Sequence, residues 1–567
     1  MHIKIVKRLI NFYDIDGYII PKNDEYFSEY SNPNRLKAVT GFTGSAGIAI
    51  ILKTKNYLFV DGRYTLQAQR QSGSNFNIFE VPKFNPKFVL KKSAKFLKLG
   101  FDPSLFTSNF LRKNFSEYCS LIPIKENFTN RFINQFNRGS KNSFFALNEK
   151  ITGERWQSKV NRLIKYLKKR KINNLFISAP ENVAWLLNIR GYDNPNSPIP
   201  NCKLILQNTG KIHLIADEKK LEKIKKIKTY KKLKFVNKEY FYKLLLKLEG
   251  EKFQIDESTC SVLEENLIKN NFKVTKTLDP IYKLKSIKNS VEINNTKNIH
   301  IDDGVAVTKF LYWIKYKNKK KITEIGAEKK LEKFRKKSSK YLYPSFETIS
   351  ASGSNGSIIH YKATKNSNKI LNFKDLYLCD SGGQYKYGTT DITRTICFSN
   401  QSRKIKENFT RVLKGHIAVA KANLNKFNKG NAIDKLARYS LKIKKLDYSH
   451  GTGHGVGYFL NVHEGPQAIS KFNTVKLEDG MILSNEPGYY KKNKYGIRIE
   501  NLIYVRKNKK KLQFENLTLA PIDKDLIDFK LLSIEEKQYL HEYHKKVYLK
   551  LKNYLNFEEK IWLKNLF

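Results

Sequence analysis

Two aspartates stand inside a segment that otherwise has the composition of buried β-strand, and they constrain the fold more than any other feature of the sequence. In LYLCDSGGQYKYGTTDITRTICF, residues 376–398, Asp380 ends an apolar strand and Asp391 lies within a β-branched one. Carboxylates are disfavoured in such strands. The intervening SGGQYKYG can form the turn that pairs the two strands, so that the carboxylates face each other. Burying two like charges is costly unless a cation lies between them. The alternative is one surface aspartate and one turn aspartate.

A second segment is rich in histidine and glycine. HGTGHGVGYFLNVHEGP, residues 450–466, contains His450, His454 and His463, three of the ten histidines in the chain. Glycines leave little side-chain bulk, so the backbone can approach a ligand closely. A single histidine is more often a packed residue than a ligand, but three within one short glycine-rich segment predict a functional site.

A third segment contributes two glutamates. In MILSNEPGYYKKNKYGIRIENLIYV, residues 481–505, Glu486 ends an apolar strand before a Pro-Gly turn, and Glu500 lies within a second strand. Arg498 is two residues from Glu500, so both side chains point to the same face of that strand. Glu500 therefore needs a partner, which is either Arg498 or a metal ion.

These segments together supply four carboxylates and one imidazole. Four carboxylates carry a charge that two divalent cations would balance, and two metal ions can share a bridging water. We therefore predict a dinuclear metal site whose ligands are Asp380, Asp391, His454, Glu486 and Glu500. A carboxylate-rich set with one imidazole suits Mn²⁺, our first choice, or Zn²⁺ or Co²⁺ better than softer metals.

The remaining sequence predicts several domains, because 567 residues exceed one ordinary hydrophobic core. Strand-like segments alternate with helices over residues 14–80, and a similar order recurs from residue 152. The pairing of AVTGF with LLNIRGY suggests two related α/β units in tandem. From residue 287 a long helix precedes short glycine-rich strands, and the last 35 or so residues predict a terminal helix pair. The predicted domains are 1–147, 148–286, 287–522 and 523–567.

The net charge of +54, from 106 Lys and Arg against 52 Asp and Glu, invites a nucleic-acid or anionic membrane partner. The lysines are spread along the whole chain, with many Asn, Ile, Phe and Tyr, and we favour compositional bias over a nucleic-acid role. Five cysteines without a CxxC spacing indicate a reducing compartment. The sequence shows no signal-peptide core and no run of 18 apolar residues, so we expect a cytoplasmic protein without membrane association.

The five predicted ligands resemble the metal signature of the pita-bread metallopeptidases, which include methionine aminopeptidase, prolidase, aminopeptidase P and creatinase. SIIHYKA, residues 357–363, and the three segments quoted above are most similar to aminopeptidase P. SEYSNPNRLKAVTGFTGSAG and VDGRYTLQAQRQ, residues 28–47 and 60–71, resemble the first domain of its long, three-domain, cytosolic form. The resemblance implies two creatinase-N-like α/β domains ahead of a pita-bread catalytic domain of two α+β halves, and a homodimer.

The resemblance also implies roles for individual residues. Asp380 would bind one metal and His454 with Glu486 the other, while Asp391 and Glu500 would bridge both. His360, His450 and His463 would line the substrate pocket, and Arg498 would hold Glu500 and nearby acids in place. The implied reaction removes the first residue from peptides whose second residue is proline. Glu486 is the candidate proton acceptor, and His450 or His463 would donate a hydrogen bond to the tetrahedral intermediate.

Three alternatives stay open on the sequence. Prolidase cleaves only dipeptides, and its short form has one N-terminal unit where this chain has two. Creatinase works without metal and should lack several of the ligands. A binding protein on this fold could use its basic surface to hold RNA, but loss of catalysis should appear as broken ligands. A smaller question concerns Asp61 and Arg63, for which we expect a local ion pair.

Overall fold

The computed structural model describes residues 2–30, 33–93, 95–133, 142–318, 321–509 and 511–567, so residues 31 and 32 of the first N-terminal motif lie outside the described residues. The chain divides into two compact units, Met1–Tyr282 and Lys283–Phe567. Within the described ranges, none of the helices has the length and apolar character needed to cross a bilayer.

The first unit begins with a six-stranded sheet in the order β4-β3-β2-β1-β5-β6. Its strands are β1 Gly17–Pro21, β2 Ile48–Leu52, β3 Asn56–Asp61, β4 Asn77–Val81, β5 Leu97–Phe101 and β6 Cys119–Pro123. Its helices are α1 His2–Phe12, α2 Arg35–Thr40, α3 Thr65–Ser72, α4 Pro86–Leu90 and α5 Ser108–Asn114. Alternate residues of β1, such as Ile19 and Ile20, enter separate cores on the two faces. The predicted local ion pair is confirmed, since both Arg63 Nε and Nη2 donate to Asp61 at 2.9 and 2.8 Å.

A second six-stranded sheet in the same unit has the order β12-β11-β10-β8-β13-β14. This part contains β7 Phe145–Ala146, β8 Asn174–Ile177, β9 Ile189–Arg190, β10 Lys203–Gln207, β11 Ile212–Ala216, β12 Lys234–Asn237, β13 Lys252–Ile255 and β14 Lys273–Lys276. Its helices are α6 Glu149–Thr152, α7 Trp156–Lys169, α8 Pro180–Leu187, α9 Glu218–Lys225, α10 Phe241–Leu245 and α11 Val262–Lys269.

The two sheets of the first unit have the same topology. In each, the first strand pairs antiparallel with the second and parallel with the fifth, and the third pairs parallel with the fourth. Helices α2 and α8, which carry the predicted repeat AVTGF and LLNIRGY, occupy equivalent positions after the first strand. The predicted tandem α/β organisation is therefore confirmed. The boundary at residue 147 stays a prediction. Strand β7 lies just before that position, but it pairs with β9 of the second α/β part.

The second unit begins within helix α12 Ile281–Ser286 and contains two helix pairs, short strands and a terminal helix pair. The helices are α13 Ser290–Tyr312, α14 Glu324–Arg335, α15 Arg403–Ala420, α16 Gly430–Lys442, α17 Ile534–Leu551 and α18 Phe557–Lys564. The first strands are β15 Tyr341–Pro344, β16 Ile349–Ser352, β17 Leu376–Ser381, β18 Gly383–Tyr385, β19 Gly388–Thr389 and β20 Ile392–Cys397. The later strands are β21 Gly453–Gly455, β22 Glu464–Ile469, β23 Ile482–Asn485, β24 Gly488–Lys491, β25 Tyr495–Arg498, β26 Asn501–Asn508 and β27 Lys511–Asn516.

Each helix pair packs on its own sheet. Phe310 of α13 shares a core with Tyr377 and Ile396 on the sheet β16-β17-β20. Val419 of α15 shares another with Leu483 on the sheet β22-β21-β23-β26-β27. The unit thus consists of two α+β halves, and the predicted fold class is confirmed.

The terminal helices complete the second unit. The predicted helix pair corresponds to α17 and α18, each of which begins with a capping box in which the N-cap side chain and a glutamate three residues later exchange hydrogen bonds with the backbone. Tyr543 and Val547 of α17 pack in one core with Phe409 of α15 and Ile497 of β25. The chain's last helices therefore cover the half of the unit that carries Glu500.

Candidate metal centre

The first predicted aspartate ligand lies on one strand of a pair, and the second lies directly before the other strand. Strand β17, which contains Asp380, pairs antiparallel with β20, and Asp380 lies opposite Thr393. The prediction that Asp391 lies within a strand was wrong, because β19 ends at Thr389 and β20 begins at Ile392. The interruption frees the Asp391 backbone from the ladder and leaves its buried carboxylate next to that of Asp380.

The histidine and the two glutamates come from the other sheet. His454 is the middle residue of β21, and Glu486 directly follows β23. Glu500 was predicted within a strand, but it lies in a two-residue break between β25 and β26. Because Asn485 lies opposite Asn501 in the β23–β26 pair, the next position of the ladder places Glu486 beside Glu500.

Close backbone contacts bring these strands together. The backbone N–H of Glu500 donates to the Thr393 carbonyl at 3.1 Å, which joins the two sheets at the site. Gly453, next to His454, has no room for a side chain, because a Cβ there would lie 2.0 Å from the Ser484 carbonyl oxygen. The glycine therefore lets β21 approach β23 closely enough to set His454 near Glu486.

The ligand atoms converge on a small volume. His454 Nε2 lies 3.5 Å from Asp391 Oδ2 and 3.6 Å from Glu486 Oε1. One ligand atom from each of Asp391, His454 and Glu500 lies within 4.8 Å of the others. The Nδ1–H of His454 donates to the Gly455 carbonyl at 2.9 Å, so its Nε2 is the ring nitrogen that faces the carboxylates. The structure thus places His454, Glu486 and Glu500 close to one another and to Asp391.

Charge repulsion within the cluster shows that it suits a cation. Burial and the neighbouring carboxylates, opposed by Arg498, raise the pKa of Asp380 to about 6. Burial and the charges of Asp391, Glu486 and Asp380 also raise the pKa of Glu500 well above its usual value. Asp380 Oδ1 is buried and has no hydrogen-bond partner among the described residues. A buried, unpartnered carboxylate oxygen beside other acids is an environment that a divalent cation would stabilise.

The His454 imidazole responds to the same field. Burial alone would lower the pKa of His454, but the adjacent Asp391 and Glu486 outweigh burial and raise it to about 9. The cluster therefore attracts positive charge at the position where a metal ligand is predicted. Ser484 Oγ fixes this arrangement, because it accepts from the His454 backbone N–H at 3.0 Å and donates to Glu486 Oε1 at 3.1 Å.

Arg498 directly contacts Asp380, one of the acids near Glu500. Its Nη2 donates to Asp380 Oδ2 at 2.6 Å, and it reaches Glu500 only through Thr393. Arg498 Nε donates to Thr393 Oγ1 at 3.1 Å, and that hydroxyl donates to Glu500 Oε2 at 2.8 Å. Arg498 therefore bonds directly to one of the nearby acids, as expected for a residue that holds them in place, and it is connected to Glu500 through the Thr393 hydroxyl.

The remaining predicted histidines surround these ligands at different depths. The His463 ring packs edge-on against the His454 ring at 4.3 Å between centroids. His450 Nδ1 lies 4.0 Å from Glu486 Oε2. His360 lies in a turn directly after Ile359, whose carbonyl accepts from Arg498 Nη2 at 3.4 Å.

Tyr490, which was not among the predicted site residues, connects Arg498 to His450. Arg498 Nη1 donates to the Tyr490 hydroxyl at 2.6 Å, and that hydroxyl lies 2.9 Å from His450 Nε2. Because the Gly451 carbonyl can only accept, a neutral His450 carries its proton on Nδ1, and its Nε2 accepts from the Tyr490 hydroxyl. His450 Nδ1–H then donates to the Gly451 carbonyl at 2.7 Å. Both nitrogens of a neutral His450 are thereby engaged within the protein.

A second group of possible ligand atoms, from Cys397, Asp523 and Asp525, lies elsewhere in the unit. Lys315 Nζ occupies the space between its carboxylates, at 2.6 Å from Asp523 and 2.8 Å from Asp525. This cluster is an ion-pair network around lysine, and it carries no metal prediction.

Sequence reasoning missed Thr393, Ser484 and Tyr490. Thr393 and Tyr490 stand within the quoted segments, two residues from Asp391 and four from Glu486, so proximity to a ligand was the available signal. Their partners lie 105 and 40 positions away along the chain and depend on strand register.

Comparison with known proteins places the whole chain. Two family models, each described as Creatinase/Prolidase N-terminal domain, match residues 3–129 and residues 137–292. Metallopeptidase family M24 matches residues 295–507, and the C-terminal region of peptidase M24 matches residues 510–566. The predicted boundaries at residues 286 and 522 stay predictions.

Similar proteins extend along nearly the full chain. The probable Xaa-Pro aminopeptidase P of Coprinopsis cinerea is 35% identical, over 99% of this chain and 96% of that protein. The probable Xaa-Pro aminopeptidase P of Paracoccidioides brasiliensis (strain Pb18) is 36% identical, over 99% of this chain and 97% of that protein. The crystal structure of X-prolyl aminopeptidase from Caenorhabditis elegans, a cytosolic enzyme with a di-nuclear active site, has a TM-score of 0.93 at 30% identity and covers 100% of this chain and 98% of that one.

A shorter solved structure matches only part of this chain. Prolidase from Pyrococcus furiosus, 26% identical with a TM-score of 0.51, covers 63% of this chain and 98% of its own. Over a third of the present chain thus has no counterpart in that prolidase. With full-length relatives and matching N-terminal, catalytic and C-terminal regions, the chain belongs to metallopeptidase family M24, among the long Xaa-Pro aminopeptidase P proteins.

Proposed function

We propose that this chain is a metal-dependent aminopeptidase that hydrolyses the bond between an N-terminal residue and a penultimate proline. The observation that carries the proposal is the buried convergence of four carboxylates and one imidazole, in a chain similar over its full length to proteins named Xaa-Pro aminopeptidase P. A family member without catalysis would be expected to lack one or more of these five side chains, and none is lacking.

The centre would hold two divalent metal ions, with Mn²⁺ our first choice and Zn²⁺ or Co²⁺ as alternatives. Asp380 would hold one ion, His454 and Glu486 the other, and Asp391 and Glu500 both. When bound, the ions would lower the pKa of water and polarise the carbonyl of the first residue. The unpartnered Asp380 Oδ1 and the position of His454 Nε2 beside Glu486 support this division.

Glu486 is our candidate for proton transfer. Its carboxylate lies beside His454 and within 4.0 Å of His450, where it can accept a proton from the attacking water and pass it to the leaving nitrogen. Ser484 Oγ donates to one of its oxygens and so fixes its orientation. Arg498 acts indirectly, by holding Asp380 and Tyr490 in place.

His463 is our candidate for stabilising the tetrahedral intermediate. The sequence allowed either His450 or His463, but His450 accepts from Tyr490 and donates to the Gly451 carbonyl. His463 packs against the His454 imidazole, adjacent to the reacting carbonyl that the centre would bind. His450 and His360 would then line the pocket.

The preference for proline follows from the chemistry of the leaving group. The nitrogen of a proline peptide bond carries no N–H, so a pocket that offers no acceptor there loses nothing with proline and is penalised with other residues. The free α-amine of the substrate would lie near the carboxylate-rich centre. This placement restricts cleavage to the first bond.

We also propose that the protein is a cytoplasmic homodimer that uses peptides, not nucleic acid, as partners. The dimer rests on the family resemblance and the location on the cytosolic relative. Sedimentation velocity tests the dimer directly. Salt-sensitive RNA binding without peptidase activity would instead favour the binding-protein alternative.

The defining experiment measures release of the N-terminal residue from Arg-Pro-Pro by metal-stripped protein, with and without Mn²⁺. Release should need Mn²⁺, disappear in Asp391→Ala, and persist in Asp479→Asn, which alters an exposed carboxylate away from the centre. Arg-Ala-Pro tests the proline requirement, and Arg-Pro distinguishes a strict dipeptidase. Folded, Mn²⁺-loaded protein that releases nothing from Arg-Pro-Pro contradicts the proposal.

A further inference from the structure

Arg394 is a fully buried arginine directly behind the metal centre, on strand β20. It is 2% exposed and lies three residues after Asp391. Its Nε donates to the Pro521 carbonyl at 2.8 Å, and its Nη1 donates to the carbonyls of Thr393 and Glu500 at 2.9 and 2.6 Å. One side chain thus holds the backbone of a proposed ligand and the backbone of the threonine that contacts it.

The second nitrogen of the guanidinium reaches the C-terminal part of the unit. Arg394 Nη2 lies 2.8 Å from Asn501 Oδ1, 2.7 Å from the Ala520 carbonyl and 3.0 Å from the Tyr543 hydroxyl. Its five N–H groups therefore serve six oxygen atoms, all of them uncharged. Among the residues that the structure describes, no carboxylate forms an ion pair with this guanidinium. A buried arginine is ordinarily paired with an acid.

Tyr543 completes this arrangement from helix α17. The residue is 4% exposed, and its hydroxyl accepts from Arg394 while donating to the Ala520 carbonyl at 2.8 Å. Helix α17 follows the last strand of the sheet and contributes none of the proposed ligands or pocket residues. Its contact with Arg394 is nevertheless only one side chain away from the Glu500 backbone.

The contacts around Glu500 form a closed arrangement. The Glu500 N–H donates to the Thr393 carbonyl, the Thr393 hydroxyl donates to the Glu500 carboxylate, and Arg394 Nη1 holds both carbonyls. Glu500 lies in a break between two strands, where no regular ladder fixes its backbone. The direction of its carboxylate therefore depends on these side-chain contacts.

We propose that Arg394 and Tyr543 are positioning residues for the metal centre, through which helix α17 holds the Glu500 backbone in the geometry that binds metal. This inference rests on the proposed function, because it assigns Glu500 as a metal ligand. Groups that orient metal ligands typically change metal affinity by about 10–100-fold when removed. A residue that serves only general stability would not affect metal affinity selectively.

The test compares two tyrosines on the same helix face. Tyr543→Phe removes the hydroxyl that Arg394 contacts, whereas Tyr539→Phe removes a hydroxyl that accepts from Asn516 at 2.8 Å. Mn²⁺ affinity is measured without substrate by competition with a chelator, beside thermal unfolding of the metal-free proteins. Arg394→Lys keeps the charge but cannot reach several oxygen atoms at once. Peptidase kcat and KM are measured for every variant.

We expect Tyr543→Phe to weaken Mn²⁺ binding by ~10-fold and Arg394→Lys by at least as much, with Tyr539→Phe close to wild type. We also expect kcat to fall more than KM changes. The proposal is overturned if Tyr543→Phe and Arg394→Lys bind Mn²⁺ like wild type, or if Tyr539→Phe is impaired equally. If the wild-type protein neither binds Mn²⁺ nor cleaves Arg-Pro-Pro, the proposed function has failed first, and this inference falls with it.

Discussion

Gly453 offers a test of the metal centre that leaves every proposed ligand in the chain. A Cβ at this position would lie 2.0 Å from the Ser484 carbonyl oxygen, whereas ordinary contact begins at 3.4 Å. In Gly453→Ala, strand β21 must therefore move away from β23 by about 1.4 Å, the difference between those distances. His454 is the next residue on β21, so the imidazole moves with the strand.

The size of this displacement sets the expected effect. Metal–ligand distances in proteins hold to within about 0.2 Å, so a shift several times larger should prevent His454 from acting together with Glu486. We expect Mn²⁺ affinity to fall by at least ~10-fold. Overpacking of this kind should also lower the free energy of unfolding by about 1–3 kcal/mol.

The assay is chelator competition for Mn²⁺, with circular dichroism to establish that the variant is folded. Gly451→Ala is the matched control, because a Cβ there meets its nearest neighbour at 3.6 Å, an ordinary contact. Wild-type Mn²⁺ affinity in Gly453→Ala would refute the reasoning. Equal impairment in Gly451→Ala would refute it as well, since the effect would then not come from the close approach of the two strands.

Three further predictions concern single side chains. Thr393→Val removes the hydroxyl between Arg498 and Glu500. Arg498 Nε and Glu500 Oε2 then lose this hydrogen-bond partner, at a cost of about 1–3 kcal/mol each. Chelator competition should show weaker Mn²⁺ binding that Thr393→Ser restores. Tyr490→Phe removes the hydroxyl that contacts both His450 Nε2 and Arg498 Nη1, so we expect lower kcat/KM for Arg-Pro-Pro and a loss of about 1–3 kcal/mol in stability from the unpaired guanidinium N–H, and unchanged kinetics would contradict a role for this contact. Burial lowers the pKa of His544 from 6.5 to about 3, so between these pH values His544 is protonated in the unfolded chain but neutral in the native one. Stability should then fall by about 1.4 kcal/mol per pH unit as the pH drops from 6.5 towards 3, and unfolding midpoints of His544→Gln should show a shallower slope.

Patterns that depend on local sequence were predicted well. The alternation of apolar strands and helices identified both α/β sheets, because each strand is apolar on two covered faces. Asp380 and Glu486 stood out because a carboxylate next to an apolar strand needs a special partner. All five predicted ligands fall in three short segments, and this grouping made the metal site predictable from the amino-acid sequence alone.

Features that depend on register were not predictable. The sequence cannot show that Asp380 lies opposite Thr393, and so it could not show which acid Arg498 bonds directly or that Thr393 connects Arg498 to Glu500. The breaks at Asp391 and Glu500 were missed because their neighbours are β-branched or apolar and favour continuous strand. Tyr543 gave no signal at all, since its contact with Arg394 joins positions 149 residues apart.

The dependence of Glu500 on helix α17 has a consequence for synthesis on the ribosome. All five proposed ligands are translated before Tyr543, yet the contact that holds the Glu500 backbone cannot form until α17 has been made. At roughly 5–20 residues per second, the 43 positions from Glu500 to Tyr543 take about 2–9 s to translate. During that interval the nascent chain carries the complete ligand set without its final support, so it should neither retain metal tightly nor digest neighbouring peptides. Premature termination before α17 would leave the product in that inactive condition.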